Sequence, residues 1–330
     1  MNRKDTYRVK GMKMLPAFLW VRYAFIIVAC NSCAFDSELC ICPYSTRLEY
    51  WYAGNSSENV LPLYVNNMQQ YLFDAEGRLL DTQMLRGDSL TQWDAKLPPG
   101  NYTVVVWGNI ENSDVETDGA LTEGKHRLSE LTLSAIKEGV PPGFRGNTGR
   151  LYYGTASFTV EEGKVSGTRV YLAHAHAALS VTVRWMVDEE RPPANGNYRM
   201  QLKNIPALYN FIKGWEAELP SGDGLFAIPA ISNNTLTRHE TRAVMTYDEE
   251  VVGEFVTFRY TANTHQLWSL WRNDRQIVKE LDLYNFFSTL PMDMDLNIKQ
   301  EFDILVTIYK DKITVSFVSA SDWDEGGTIG

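Results

Sequence analysis

From Thr46 onward, hydrophobic and polar residues alternate along the chain with a period of two. Arg47–Tyr52 reads RLEYWY, with Leu48, Tyr50 and Tyr52 set against Glu49 and Trp51. Met68–Gln83 reads as strand, Asp-x-x-Gly turn, strand, which predicts a hairpin. Leu97–Asn109 (LPPGNYTVVVWGN) is a Pro-Pro-Gly turn feeding a β-branched and aromatic run, the pattern of a strand buried on both faces. Leu151–Val160 and Thr168–Trp185 continue the strand pattern. Strands average about five or six residues, so the second of these divides near Ala173–Ala177. The second half offers YRMQLKN, RAVMTYD, EFVTFRY, QLWSLWR, EFDILVTIYK and KITVSFVS. Helical periodicity is confined to HRLSELTLSAIKEG and, more convincingly, KELDLYNFFSTL. Many short strands with turn residues between them predict an all-β protein built as two tandem β-sandwich domains, residues 46–173 and 174–330.

The first 45 residues follow another pattern. Arg3, Lys4, Arg8, Lys10 and Lys13 form a basic lead, and Met14–Cys30 is apolar except for Arg22. A basic region, a short apolar region and small residues before a cleavage point are the signature of a secretory signal peptide, starting at Met1 or Met12. The run is too short and interrupted for a membrane-spanning helix of about 20 apolar residues. Ile27-Val28-Ala29-Cys30 resembles a bacterial lipobox: a small residue precedes the cut and the Cys30 thiolate takes the lipid. Residues 1–29 are therefore expected to be a lipoprotein signal and 30–45 a lipidated tether. Several acyl chains at about 0.8 kcal/mol per buried methylene give stable anchoring.

Net charge is −10 and no basic stripe is present, which argues against nucleic acid as a partner. All four cysteines fall between Cys30 and Cys42. With Cys30 acylated, Cys33, Cys40 and Cys42 leave enough for one local disulfide and one thiol over.

Cys42–Tyr52 (CPYSTRLEYWY), Gln69–Leu80 (QQYLFDAEGRLL) and Leu97–Asn109, taken in order behind a lipobox, resemble the FimB-type fimbrial anchor proteins of type V pili. The resemblance runs over most of Cys30–Phe317 and is looser in the second half. It implies two transthyretin-like (Greek-key) sandwiches and a non-enzymatic, lipid-tethered anchor or accessory subunit on the outer membrane surface of a gram-negative bacterium, with fimbrial shaft subunits as partners. It also implies a protease-sensitive basic residue before the first strand in shaft subunits. In an anchor the equivalent residue, Arg47, is expected to stay uncut, since cleavage would part the body from its lipid. Donation of a strand to a neighbouring subunit is expected from KITVSFVS, where Ile313, Val315 and Phe317 point to one face; the competing expectation is that this strand completes its own sandwich.

Other motifs weigh less. Gly87–Leu90 spells GDSL, but no histidine has an aspartate three positions earlier to complete an esterase site. The overlapping Arg86–Ser89 (RGDS) is read as a turn. His174 and His176 would share one strand face, yet the sequence shows no third ligand, so packing is expected and neither metal nor cofactor is assigned. The loop DVETDG carries Lys125 where a calcium loop needs glutamate, and DMDLN has Ile298 where it needs glycine. A surface glycan-binding lipoprotein is the alternative function, and it would need Trp51, Trp93, Trp268 and Trp271 on one exposed face.

Overall fold

The structure is a computed structural model that describes residues 43–54, 56–117, 121–138, 143–144, 147–186, 198–212, 217–218, 227–228, 247–260, 265–273, 275–290 and 299–320. Cys30, the signal segment, Cys33, Cys40, Cys42 and the DMDLN loop lie outside these residues, as do most of RAVMTYD and part of DVETDG.

Seven strands form the first sheet system: β1 (Thr46–Trp51), β2 (Met68–Phe73), β3 (Leu79–Leu85), β4 (Gln92–Ala95), β5 (Gly100–Gly108), β10 (Tyr152–Val160) and β11 (Ser166–His174). Their order is β3-β2-β5-β10-β11-β1-β4. β11 changes partners along its length. Ser166–Tyr171 runs parallel to β1, and Leu172–His174 runs antiparallel to β10. The β1 and β4 side therefore folds over the β2, β5 and β10 side, enclosing Leu48, Tyr50, Val104, Val106, Tyr152 and Leu172 in one core.

The period-two pattern of β5 explains why it has no polar face. Tyr102, Val104 and Val106 enter that core, while Val105 and Trp107 enter a second one on the opposite side of the sheet. β2 divides likewise, with Met68 and Leu72 on one side and Tyr71 and Phe73 on the other. The hairpin of β2 and β3 closes through Asp74, whose Oδ1 accepts from Glu76 N (3.0 Å) and Arg78 N (2.8 Å), and through Gly77 at φ 73°. Gly154 is needed where β10 meets the partner switch of β11: a Cβ there would stand 2.9 Å from Tyr171 O.

The second core is covered by strands from both halves of the chain. β6 (Val115–Thr117) and β7 (Thr132–Ala135) join β14 (Leu208–Asn210) and β15 (Ala217–Glu218) in the order β15-β14-β7-β6. A small pair, β8 (Lys137–Glu138) with β9 (Gly143–Phe144), lies beside them in sequence. The sequence did not announce this shared sheet, and it overturns the helical reading of HRLSELTLSAIKEG. That segment forms a 3₁₀ turn at Leu128–Glu130 and then β7. Leu131, Leu133 and Ala135 are buried, an alternation of two that strand pairing on both sides enforces over local helical preference.

The remaining strands form two four-stranded sheets. One holds β12 (His176–Met186), β17 (Tyr247–Phe258), β20 (Gln300–Ile308) and β21 (Ile313–Ala320) in the order β17-β12-β20-β21. The other holds β13 (Tyr198–Lys203), β16 (Ala227–Ile228), β18 (Leu267–Arg272) and β19 (Arg275–Asp282) in the order β16-β13-β18-β19. Leu179, Val181 and Val183 of β12 share a core with Met200 and Leu202 of β13 and Trp268 and Leu270 of β18. The expected break in Thr168–Trp185 falls at Ala175, between β11 and β12. Two short α-helices occur among the described residues, α1 (Leu61–Tyr64) and α2 (Leu283–Ser288). α2 lies in KELDLYNFFSTL as expected, and Asp282 Oδ1 caps it by accepting from Asn285 N at 3.0 Å. The all-β sandwich class read from the sequence is the class observed.

Candidate functional site

β1 is the strand that carries Arg47, the first of the residues singled out in the sequence. It is an interior strand, paired in parallel with β11 and antiparallel with β4. Leu48, Tyr50 and Tyr52 point inward and are at most 3% exposed. Tyr50 Oη donates to Gln70 Oε1 of β2, and Tyr52 Oη is 2.6 Å from His174 Nε2. Burying side chains of this size stabilises by about 2 kcal/mol each, so the segment Leu48–Tyr52 contributes on the order of 6 kcal/mol of core. That is comparable with the whole stability of an ordinary domain, roughly 5–15 kcal/mol. A chain deprived of this strand needs a substitute for it.

Arg47 sits inside the same ladder, opposite Gly167 on one side and Asp94 on the other. Its Nε donates to Asp94 Oδ1 (2.8 Å), and its Nη2 donates to Asp94 Oδ2 (2.9 Å) and Tyr44 Oη (2.7 Å). The guanidinium holds the Asp94 carboxyl below the usual carboxylate range. The neighbouring backbone is fixed as well: Ser45 N donates to Ala95 O (2.9 Å) and Ser166 N to Ser45 O (2.9 Å).

The second candidate is β21, which pairs antiparallel with β20 and forms the edge of its sheet. It completes the sandwich of its own chain, the arrangement set against donation in the sequence reading. Val315 and Phe317 are half-buried against the core, and Phe317 meets Phe287 edge-on at 6.3 Å. Ile313 is exposed, and so is Val318, displaced outward where the register shifts at Asp303/Ile304.

The WGN that ends β5 is structural. Asn109 adopts the left-handed region at φ 65°, and its Nδ2 donates to Tyr64 O (2.8 Å) and Arg150 O (3.0 Å). Its Oδ1 accepts from Asn66 N (2.9 Å), so one side chain ties three segments together. Ser89 of the GDSL stretch donates through Oγ to Arg86 O (2.8 Å) and accepts from Arg86 N (3.0 Å), closing a 3₁₀ turn. The four tryptophans do not form one exposed array. Trp268 is fully buried; Trp51 lies under Arg169 (4.3 Å), Trp93 donates to Gln83 Oε1 (2.7 Å) and Trp271 lies under Arg199 (5.3 Å).

His174 and His176 end β11 and begin β12, and their rings stack at 4.5 Å. The fold adds a group invisible to sequence spacing, Glu301 at the start of β20, paired with Arg150. Burial and the neighbouring His176 push the His174 imidazole down to about 2, so it is neutral. Glu301 is also held down to about 2, by the facing His176 and, against its own burial, by Arg150.

A family model described as "Fimbrillin-A associated anchor proteins Mfa1 and Mfa2" matches residues 39–325. No curated protein sequence matches the chain. Among solved structures, a presumed adhesin from Bacteroides thetaiotaomicron aligns with TM-score 0.64 at 16% identity, over 84% of this chain and 97% of that one. A presumed polysaccharide-binding protein from the same organism gives 0.63 at 13%, over 83% and 98%. The fimbrial anchor protein Mfa2 from Porphyromonas gingivalis gives 0.59 at 18%, over 83% and 95%. The three share the fold of this chain, and the family match over most of its length decides membership: the chain belongs to the fimbrillin-A associated anchor family.

Proposed function

We propose that this chain is the lipid-held base of a surface fimbria: a non-enzymatic anchor, acylated at Cys30, tethered through residues 30–45 and retained on the outer membrane because Arg47 is never cut. The observation that carries the reading is the position of the Arg47–Leu48 bond in the interior strand β1, with its backbone paired on both sides. A protease acts on an opened, extended segment, and here opening would expose Leu48, Tyr50 and Tyr52 together. With its first strand in place, the chain has no vacancy there for an incoming strand. In this reading the two domains meet near His174, and contact with a shaft subunit runs through β21, the edge strand of its sheet among the described residues, where main-chain bonds supply affinity and side chains set register. Ile313, Val315 and Phe317 are the contact candidates, with exposed Ile313 the cleanest to probe.

The test is mass spectrometry of the protein isolated from its native membrane. An acylated Cys30 at the N-terminus with Arg47 intact is expected. A mature chain beginning at Leu48 would make it a shaft subunit, and normal processing and membrane retention of Cys30→Ala would remove the lipid anchor.

A further inference from the structure

We propose that His174, His176 and Glu301 form a binding site for one divalent metal ion of the zinc class, pinning the joint between β11, β12 and β20. Nothing in the anchor role requires this cluster, and its chemistry is that of a ligand set. The donor atoms of the three side chains lie within 4.8 Å of one another. His176 Nδ1 donates to Leu151 O at 2.8 Å, which fixes the tautomer and leaves Nε2 facing Glu301 Oε1 at 3.9 Å. His174 engages Tyr52 Oη through Nε2, leaving Nδ1. Each imidazole thus has one nitrogen oriented by an outer partner, while its other nitrogen, His174 Nδ1 or His176 Nε2, is buried without a hydrogen bond. An outer hydrogen bond on the far nitrogen is the arrangement that metal-binding histidines use. Burying polar atoms without partners costs free energy, and here two such atoms sit side by side in residues at most 2% exposed.

Two imidazoles and a carboxylate suit zinc, with water as the fourth ligand. Bonds of about 2.1 Å in tetrahedral geometry would draw the donor atoms to about 3.4 Å apart. The rings stack at an interplanar angle of 24°, so one must turn before both lone pairs meet at one point. His174 is the ring that would have to turn, because its outer partner is a rotatable hydroxyl while that of His176 is a fixed carbonyl. Arg150, whose side chain is 57% exposed, can swing into solvent as the ion takes over its role beside Glu301. The rival occupant is a proton on His176 Nε2, shared toward Glu301.

The experiment uses the full chain in detergent with its cysteines alkylated, so that Cys30–Cys42 cannot hold the metal. Zinc alone is added in equilibrium dialysis and thermal melts, and cobalt alone as the spectroscopic probe. Expected are one equivalent bound, a raised Tm, the visible bands of tetrahedral cobalt, and imidazole and oxygen ligation by X-ray absorption. Loss of outer partners weakens metal sites by about 10–100-fold, so losing a ligand in Glu301→Gln or His176→Asn should weaken binding by about 100-fold or more. Glu301→Gln preserves shape and serves if the histidine variant fails to fold. No zinc bound by the alkylated parent chain, a proton only, or equal binding by parent and Glu301→Gln would each overturn the proposal.

Discussion

Protection of the Arg47–Leu48 bond should depend on how firmly β1 is packed, and that can be weakened in steps. Tyr50 is fully buried three residues beyond the bond, where substitution barely alters what a trypsin-like protease recognises. Tyr50→Phe removes the donor to Gln70 and leaves a buried acceptor unpaired, costing about 1 kcal/mol or more. Tyr50→Ala also empties a ring-sized volume, costing about 3 kcal/mol. If cleavage draws on a transiently opened β1, its rate follows the open population. At about 1.4 kcal/mol per tenfold, the two variants should be cut about 5-fold and about 150-fold faster than the parent. The assay is timed trypsin digestion with mass spectrometry, following cleavage after Arg47 against cleavage after Lys203 in β13. A rise confined to Arg47 identifies local opening. Leu63→Ala, at an 80% exposed position, should change the rate by no more than about twofold. The reasoning fails if the parent is cut at Arg47 as fast as at exposed Lys164, or if Tyr50→Ala leaves the Arg47 rate unchanged.

Further outcomes follow from other contacts. Asn109→Ala should lower stability by about 1–3 kcal/mol in urea melts, since it removes three tethering bonds at a left-handed position. Gly154→Ala should cost about 1–3 kcal/mol, because the new Cβ meets Tyr171 O, Leu172 and Val106 with no room to relax. Ile313→Asp should leave the fold intact by circular dichroism yet reduce attached fimbriae; an unchanged number would remove the β21 edge as the docking surface. The Arg47–Asp94 pair should be fully present at pH 5 and weaken only below the ordinary aspartate value of about 3.9, because the folded carboxyl is depressed and its contribution is lost as pH falls through the lower value. The rate of cleavage after Arg47 relative to that after exposed Lys164 should therefore stay flat from pH 8 to 5, the ratio cancelling the protease's own pH dependence.

What the sequence revealed depended on whether a signal was local. β1, β5 and the β2–β3 hairpin were legible because alternation and turn residues sit within a dozen positions. The break at Ala175 was legible because a strand the length of Thr168–Trp185 is improbable. The shared sheet was not: β7 and β14 are about 75 residues apart, and nothing in Thr132–Ala135 names Leu208–Asn210 as its partner. Glu301 was hidden for the same reason, since β12 pairs in parallel with β20 across more than 100 residues. Tyr52 looked like one more alternating aromatic, with no sign that its hydroxyl would reach His174.

These non-local pairings bear on how an anchor would carry tension. A pull applied N-terminal to β1 would enter at Thr46 and pass through β1 into β11 along six parallel residue pairs. Along the chain it crosses from β11 through Ala175 to β12, then passes to β20 and β21. That crossing is one residue long, but it is not held by one residue alone. Tyr209 Oη donates to Ala175 O (2.6 Å) and accepts from Arg259 N (2.6 Å), and Arg259 Nη1 donates to His174 O (3.1 Å). Trp107 stacks on Tyr209 at 5.6 Å, linking this knot to the outer face of β5. Trp107 and Tyr209 are, at this point of the fold, the packing that joins one half of this path to the other.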